Sequence, residues 1–168
     1  MKIRRKKTSN NELSKTLWIP DEIYEIIKQC IPIPCVDVFI ENPTKGFLWI
    51  QRNIPPQQYQ WAPIGGRIYK FESPEEACIR IAKKEVGLDI NVKEFLGFSE
   101  FKDENHFISL NFKASLKKPY QNIHINKNEV SGYLFNYELP LGTADQYIEV
   151  YQKLRRTIHE KKTNIKKI

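Results

Sequence analysis

No apolar run in this chain approaches the length of about 18 residues that crosses a bilayer, so no membrane span is expected. The basic start, MKIRRKKTSN, is not followed by an apolar segment of the kind a secretory signal carries. Cysteine is scarce: Cys30, Cys35 and Cys78 are the only three. Cys30 and Cys35 are isolated from other Cys or His, which argues against a zinc site, and Cys78 falls on an apolar helix stripe. Free thiols in a reducing cytoplasm are the expected state. Internal repeats and low-complexity segments are also missing. What is present suits one folded domain: 168 residues, 40% hydrophobic and 12% aromatic, enough to bury a core.

The net charge of +7 is unevenly spread. Residues 1–10 carry +5, and residues 153–168 carry seven Lys or Arg against Glu160, leaving −4 for the stretch between. Basicity therefore sits in the tails, residues 1–15 and 161–168, flanking a domain over 16–160. The tails read as solvated ends; contact with nucleic acid or another acidic surface is the other use open to them.

Along the chain, PDEIYEIIKQC reads as a short helix with Ile23, Ile26 and Ile27 on one face, stopped by Pro32 and Pro34. CVDVFIEN (35–42) and GFLWIQR (46–52) read as a strand pair, and IPPQQYQ as a proline-rich loop. WAPIGGR then leads to a helix over 74–86. Ser73 caps it, Pro74 opens it, Glu76 completes a capping box and Gly87 ends it. Strands follow near 92–101, 106–116 and 132–138, then a helix near 143–160. This order predicts an α/β (α+β) fold, a mixed sheet between helices.

On the helix, Cys78, Ile81, Ala82 and Glu85 share one face. Three are apolar; Glu85 continues the stripe as a half-buried carboxylate that needs a cation or donors. An ion pair to Arg80 or Arg67 is one solution. A divalent cation is the other, since the Gly65-Gly66 turn leaves carbonyls free and Mg2+ takes a few hard oxygens plus phosphate and water. Arg67 and Arg80 would then clamp phosphate or sugar. Glu72 reads as a structural acid at the loop–helix junction, favoured by the helix dipole.

Residues 65–88, GGRIYKFESPEEACIRIAKKEVGL, resemble the Nudix box, G-x5-E-x7-R-E-U-x-E-E-x-G-U with U aliphatic. Gly66, Glu72, Arg80, Glu85, Gly87 and Leu88 fit it; Ile81 and Lys84 stand where the pattern has glutamates. That departure resembles the GDP-mannose mannosyl hydrolase branch, whose box keeps only the last closing glutamate. The likeness extends without gaps over residues 35–88, about a third of the chain, and the leading helix, PDEIYEIIKQC, resembles one that a subgroup of Nudix proteins uses to brace the sheet. It implies a Nudix fold and one Mg2+ ion. It also implies hydrolysis of a nucleoside diphosphate sugar at the sugar C1–O bond with a nucleoside diphosphate leaving, and a homodimer, as is common among relatives.

Carried over by this resemblance, Asp37 is a polar site residue on the first strand and Arg52 supports the leaving diphosphate. Arg67 and Arg80 contact substrate, Gly65 offers a carbonyl to the metal, and Glu85 is the metal carboxylate. The branch places a metal-binding Gln and a general-base His on a later loop; NKNEVSGYLF puts Glu129 and Val130 there. Glu129 is then a metal ligand, and the base must come from elsewhere. The options are His124 on the same loop, Glu129 itself, or one of Glu100, Asp103 and Glu104. His106 reads as strand packing. Tyr59 and Trp61 could stack on a base, or Trp61 could pack beneath the glycines. The short segment 99–106 puts mannose itself in doubt. Two other functions stay open: cleavage of a P–O bond in a nucleotide sugar or dinucleotide, and a non-catalytic domain that binds nucleotide sugar or RNA.

Overall fold

The computed structural model describes residues 19–118 and 120–165, with side chains as far as Arg156. The basic segment at residues 1–10 lies outside the described residues. The chain forms α1 (Asp21–Cys30), β1 (Ile33–Asn42), β2 (Gly46–Arg52), β3 (Trp61–Ala62), β4 (Ile64–Arg67), α2 (Pro74–Val86), β5 (Ile90–Lys102), β6 (His106–Leu116) and β7 (Val130–Asn136). A 3-10 turn at Asp145–Tyr147 leads into α3 (Ile148–Ile165). No helix among the described residues is long and apolar enough to cross a membrane.

The sheet is mixed, as expected, with order β3-β2-β1-β6-β5; β4 also pairs with β1, and β7 with β2. β1 runs parallel to β6, from Ile33 opposite Phe107 to Glu41 opposite Ser115. The other pairings are antiparallel. β1 is buried on both faces over most of its length, which explains its unbroken apolar run. Its alternation divides two cores. Val36, Val38 and Ile40 join Leu48, Ile50 and Ile64 beneath Ala77, Cys78, Ile81 and Ala82 of α2. Phe39, Phe47 and Trp49 meet Tyr147, Val150, Tyr151 and Leu154 on the other side. Phe39 stacks on Tyr151 at 6.1 Å, and Trp49 meets the same ring edge-on at 5.0 Å.

α2 begins and ends where local chemistry dictates. The Glu76 N–H donates to Ser73 Oγ at 3.2 Å, and Glu76 Oε2 accepts from the Ser73 N–H at 2.8 Å. Such caps are worth about 1 kcal/mol. Gly87 takes φ 72°, and its N–H closes on the Ala82 carbonyl. α3 runs to Ile165, past residue 160, because no Gly or Pro interrupts its sequence.

Two expectations need correction. Gly65-Gly66 is not a turn: WAPIGGR forms β3 and β4, too short and glycine-rich for strand propensity to reveal, and made by pairing with β2 and β1. The isoleucine face of α1 does not brace the sheet. Ile23 and Ile26 are exposed, and α1 has no buried residue. It meets the body through Tyr24, whose ring lies 4.3 Å from the Arg67 guanidinium.

Candidate active site

A cavity of about 210 Å3 opens between β1, β4, the end of α2, the 53–60 loop and the 3-10 turn. Asp37, Arg52, Gly65, Arg67, Glu85 and Glu129 all line it. These residues come from five separate segments, brought together by the sheet.

Asp37 and Gly65 pair across β1 and β4. A Cβ at Gly65 would stand 1.9 Å from Asp37 Oδ1, so only glycine leaves room for the carboxylate. The glycine serves this close approach; its φ is not positive. Asp37 is 4% exposed. The Tyr147 hydroxyl donates to Oδ1 at 3.2 Å, and Oδ2 is buried without a partner. Burial pushes this carboxyl up to about 6, against the opposing pull of the Ser109 and Tyr147 hydroxyls and of Arg52.

Glu85, 7% exposed at the end of the α2 stripe, is pushed up to about 8, first by burial and then by the neighbouring Glu129. Lys84 and Arg52 oppose the shift. The expected ion pair from Arg80 or Arg67 does not form. Glu129 Oε1 accepts from Lys84 Nζ at 2.8 Å and from Asn126 Nδ2 at 3.3 Å. Two carboxylates thus crowd one wall with a single ammonium between them, a situation that a divalent cation relieves. Among the described residues no group of three or more His, Cys, Asp or Glu is placed to share one ion. Glu85 and Glu129 are the side chains of this wall that could hold a divalent cation, with main-chain, water and phosphate oxygens completing its shell. Gly65 lines the same cavity and is the main-chain candidate.

The arginines divide. Arg52 Nε donates to the Pro56 carbonyl at 2.8 Å, which fixes the guanidinium in the cavity wall. Arg67 is held between the rings of Tyr24 and Tyr69, at 4.3 and 5.9 Å, and its Nη1 is buried with no partner. Arg80 lies outside the cavity lining. It makes a two-pronged bond to Glu72 at 2.6 and 2.8 Å, donates to the Arg67 carbonyl at 2.8 Å, and lies 3.8 Å from the Tyr69 ring. Glu72 also accepts from the Tyr69 N–H at 2.9 Å. The expectation is that Arg80 contacts substrate; its Nε and Nη2 are taken up by Glu72 and the Arg67 carbonyl, in the loop that carries Arg67.

Several candidates for the base stand elsewhere. His124 is exposed; its N–H donates to the Val86 carbonyl and its Cβ lies 3.2 Å from where a side chain at Gly87 would begin. It covers the end of α2 and does not line the cavity, because this main-chain bond turns it away. Glu100 pairs with Lys102 at 2.9 Å and His106 at 3.3 Å, and Asp103 and Glu104 lie in the adjoining turn, also off the cavity. Trp61 packs against the aromatic core, while Tyr59 is exposed; neither lines the cavity.

Sequence reasoning missed Tyr24, Tyr147 and the reciprocal amide pair of Gln57 and Gln146, bonded at 2.7 and 3.0 Å. That pair ties the proline-rich loop to the 3-10 turn beside the cavity. No local pattern marks these residues; only their spatial neighbours give them a role.

The NUDIX domain model matches residues 32–154, and the chain belongs to that family. Low-salt glycan biosynthesis protein Agl8 of Haloferax volcanii is 26% identical over 145 residues, spanning 81% of this chain and 90% of the relative. The MutT protein from Methanosarcina mazei Go1 superposes with a TM-score of 0.66 at 19% identity, covering 75% of this chain and 95% of its own. A UDP-X diphosphatase superposes at 0.62 with 16% identity, covering 88% and 78%. At these identities the two structures share the fold.

Proposed function

We propose that this protein is a Mg2+-dependent hydrolase of a nucleoside diphosphate sugar that releases nucleoside diphosphate and free sugar by C–O cleavage, in the manner of the GDP-mannose mannosyl hydrolases. The observation that carries this reading is the thinness of the acidic wall. Ile81, at one glutamate position of the box, is 2% exposed and packs in the core; Lys84, at another, is paired with Glu129. A metal-holding wall with two carboxylates, Glu85 and Glu129, is suited to neutralising a leaving diphosphate more than to assembling several ions around an attacking water. The name of the Haloferax relative, a glycan biosynthesis protein, supports a sugar-bearing substrate.

When bound, Mg2+ would supply positive charge to the departing diphosphate, held by Glu85 and Glu129 with the Gly65 carbonyl. Arg52 and the unpaired Nη1 of Arg67 bind phosphate oxygens as they gain charge. Asp37 presents a free, desolvated oxygen that accepts a hydrogen bond from the attacking water or a sugar hydroxyl, while Tyr147 fixes its other oxygen. With His124 outside the cavity and Val130 apolar, a carboxylate receives the proton of water. Asp37 is better placed than Glu129, which shares its charge with Lys84.

Incubation with GDP-mannose or GDP-glucose and Mg2+, followed by separation of GDP from GMP, tests the reading. GDP with free sugar is expected; GMP with sugar phosphate would replace it by P–O cleavage. A second reading, a nucleotide-sugar-binding domain without turnover, is favoured by the fully buried Val130 at the expected base position. Binding without product would select it.

A further inference from the structure

Lys84 is the one residue of the acidic wall whose chemistry opposes the family pattern while its side chain still reaches the site. Its ammonium, half-exposed, lies 2.8 Å from Glu129 Oε1. The same oxygen accepts from Asn126 Nδ2 at 3.3 Å, and the Asn126 N–H bonds to the Glu85 carbonyl at 2.9 Å. The Glu129 N–H in turn bonds to the Asn126 carbonyl at 2.9 Å. Glu129 is therefore held through one oxygen, by a cation that α2 carries and by a side chain tied to the residue next to it. Its other oxygen makes none of the hydrogen bonds found among the described residues. A glutamate at position 84 would bring a third carboxylate to Glu85 and Glu129 and demand further positive charge. A lysine supplies that charge from the protein itself.

We propose that Lys84 is a tethered cation standing in place of a second divalent ion, positioning Glu129 through Oε1 at the point where a glutamate would call in more metal. This rests on the reading of Glu85 and Glu129 as metal ligands. It has a chemical consequence. A single ion would lend its charge to the leaving diphosphate and leave the proton of the attacking water to a side chain, so a wall built this way suits departure of a diphosphate from carbon. Lys84 acts through Glu129 and is a positioning residue; it need not touch substrate.

The test counts ions. The full chain is titrated with Mn2+ in place of Mg2+, and free Mn2+ is read by electron paramagnetic resonance. Wild type is expected to take up one Mn2+ per chain, and Lys84→Glu at least two. Lys84→Met, which keeps the length without the charge, is expected to take up one, about tenfold more tightly, because a repelling charge a few ångströms away is gone. Lys84→Met also guards against poor folding of the three-carboxylate variant. Two or more ions in wild type would overturn the inference, as would equal stoichiometry and affinity in all three proteins. No uptake by any of them would overturn the metal centre itself, and the inference with it, and that pattern differs from the other failures.

Discussion

The loop–helix junction and the cavity share the stretch of chain from residue 64 to 85, to which the cavity adds Asp37, Arg52 and Glu129, yet they treat polar groups in opposite ways. At the junction every strong group is answered: Arg80 by Glu72 and the Arg67 carbonyl, Glu72 by Arg80 and the Tyr69 N–H. In the cavity Asp37 Oδ2 and Arg67 Nη1 are buried with no partner, and Glu85 and Glu129 repel. Unanswered buried groups cost stability. A fold that satisfies them a few residues away and leaves them open here has the arrangement that the proposed binding site requires. The first region commits its polar groups to structure, and the second is the one the proposed function assigns to a ligand.

Substitution can break that contrast. Glu85→Gln should lower Mg2+-dependent release of nucleoside diphosphate by about 10²- to 10³-fold, the scale seen when a charge-stabilising group is lost. Its melting temperature should hold or rise, since a crowded buried charge is removed; product assay and thermal scan together check this. Arg80→Met should destabilise by about 3 kcal/mol, the cost of leaving a largely buried carboxylate unpaired. Arg67→Met should cost about 1 kcal/mol, the worth of its ring contacts, and instead raise KM. Urea unfolding beside steady-state kinetics separates the two arginines; equal destabilisation would erase the contrast.

Metal-free protein should also lose stability with rising pH through Asp37. Its carboxyl is raised by burial from 3.8 to about 6, so the native state binds the proton more tightly than the unfolded chain. That contribution is present in full below pH 3.8 and is lost as pH rises through about 6. It amounts to roughly 3 kcal/mol. Asp37→Asn should remove this slope from a series of unfolding curves between pH 4 and 7. The smallest effect belongs to Gln57→Ala. Breaking its amide pair with Gln146 should cost about 1 kcal/mol and raise KM two- to threefold (about 0.5 kcal/mol), with kcat held.

What the sequence reveals of this molecule follows the distance over which each cause acts. Ser73, Glu76 and Gly87 declare α2 because a cap and a left-handed stop are settled within one turn. The apolar run of β1 declares a strand buried on both faces. β4 escapes notice because Gly65 is there for Asp37, a partner nearly thirty residues earlier. Arg80 looks like a substrate clamp until Glu72 occupies both its prongs. The pairs that shape the cavity join Asp37 to Tyr147, 110 residues apart, Gln57 to Gln146, 89 apart, and Lys84 to Glu129, 45 apart. No periodicity links positions so far apart; the sheet brings them together. His124 shows the converse, since a histidine on the expected loop reads as a base until its main chain is seen bonded to Val86.

β5 contributes Ser99 and Phe101 to the cavity wall, but among the described residues it is also an edge of the sheet, pairing there with β6 alone. A thirteen-residue edge strand with Phe95 and Phe98 exposed is the kind of template on which a second chain can lay itself down. Register shifts between Val92 and Glu94 and between Phe95 and Gly97 bend that edge away from flatness. Lys93, Glu94, Glu100 and Lys102 add charge along it. The strand that shapes the binding cavity thus carries its own guard against sheet growth from molecule to molecule, and straightening it would turn a wall of the site into a seed for aggregation.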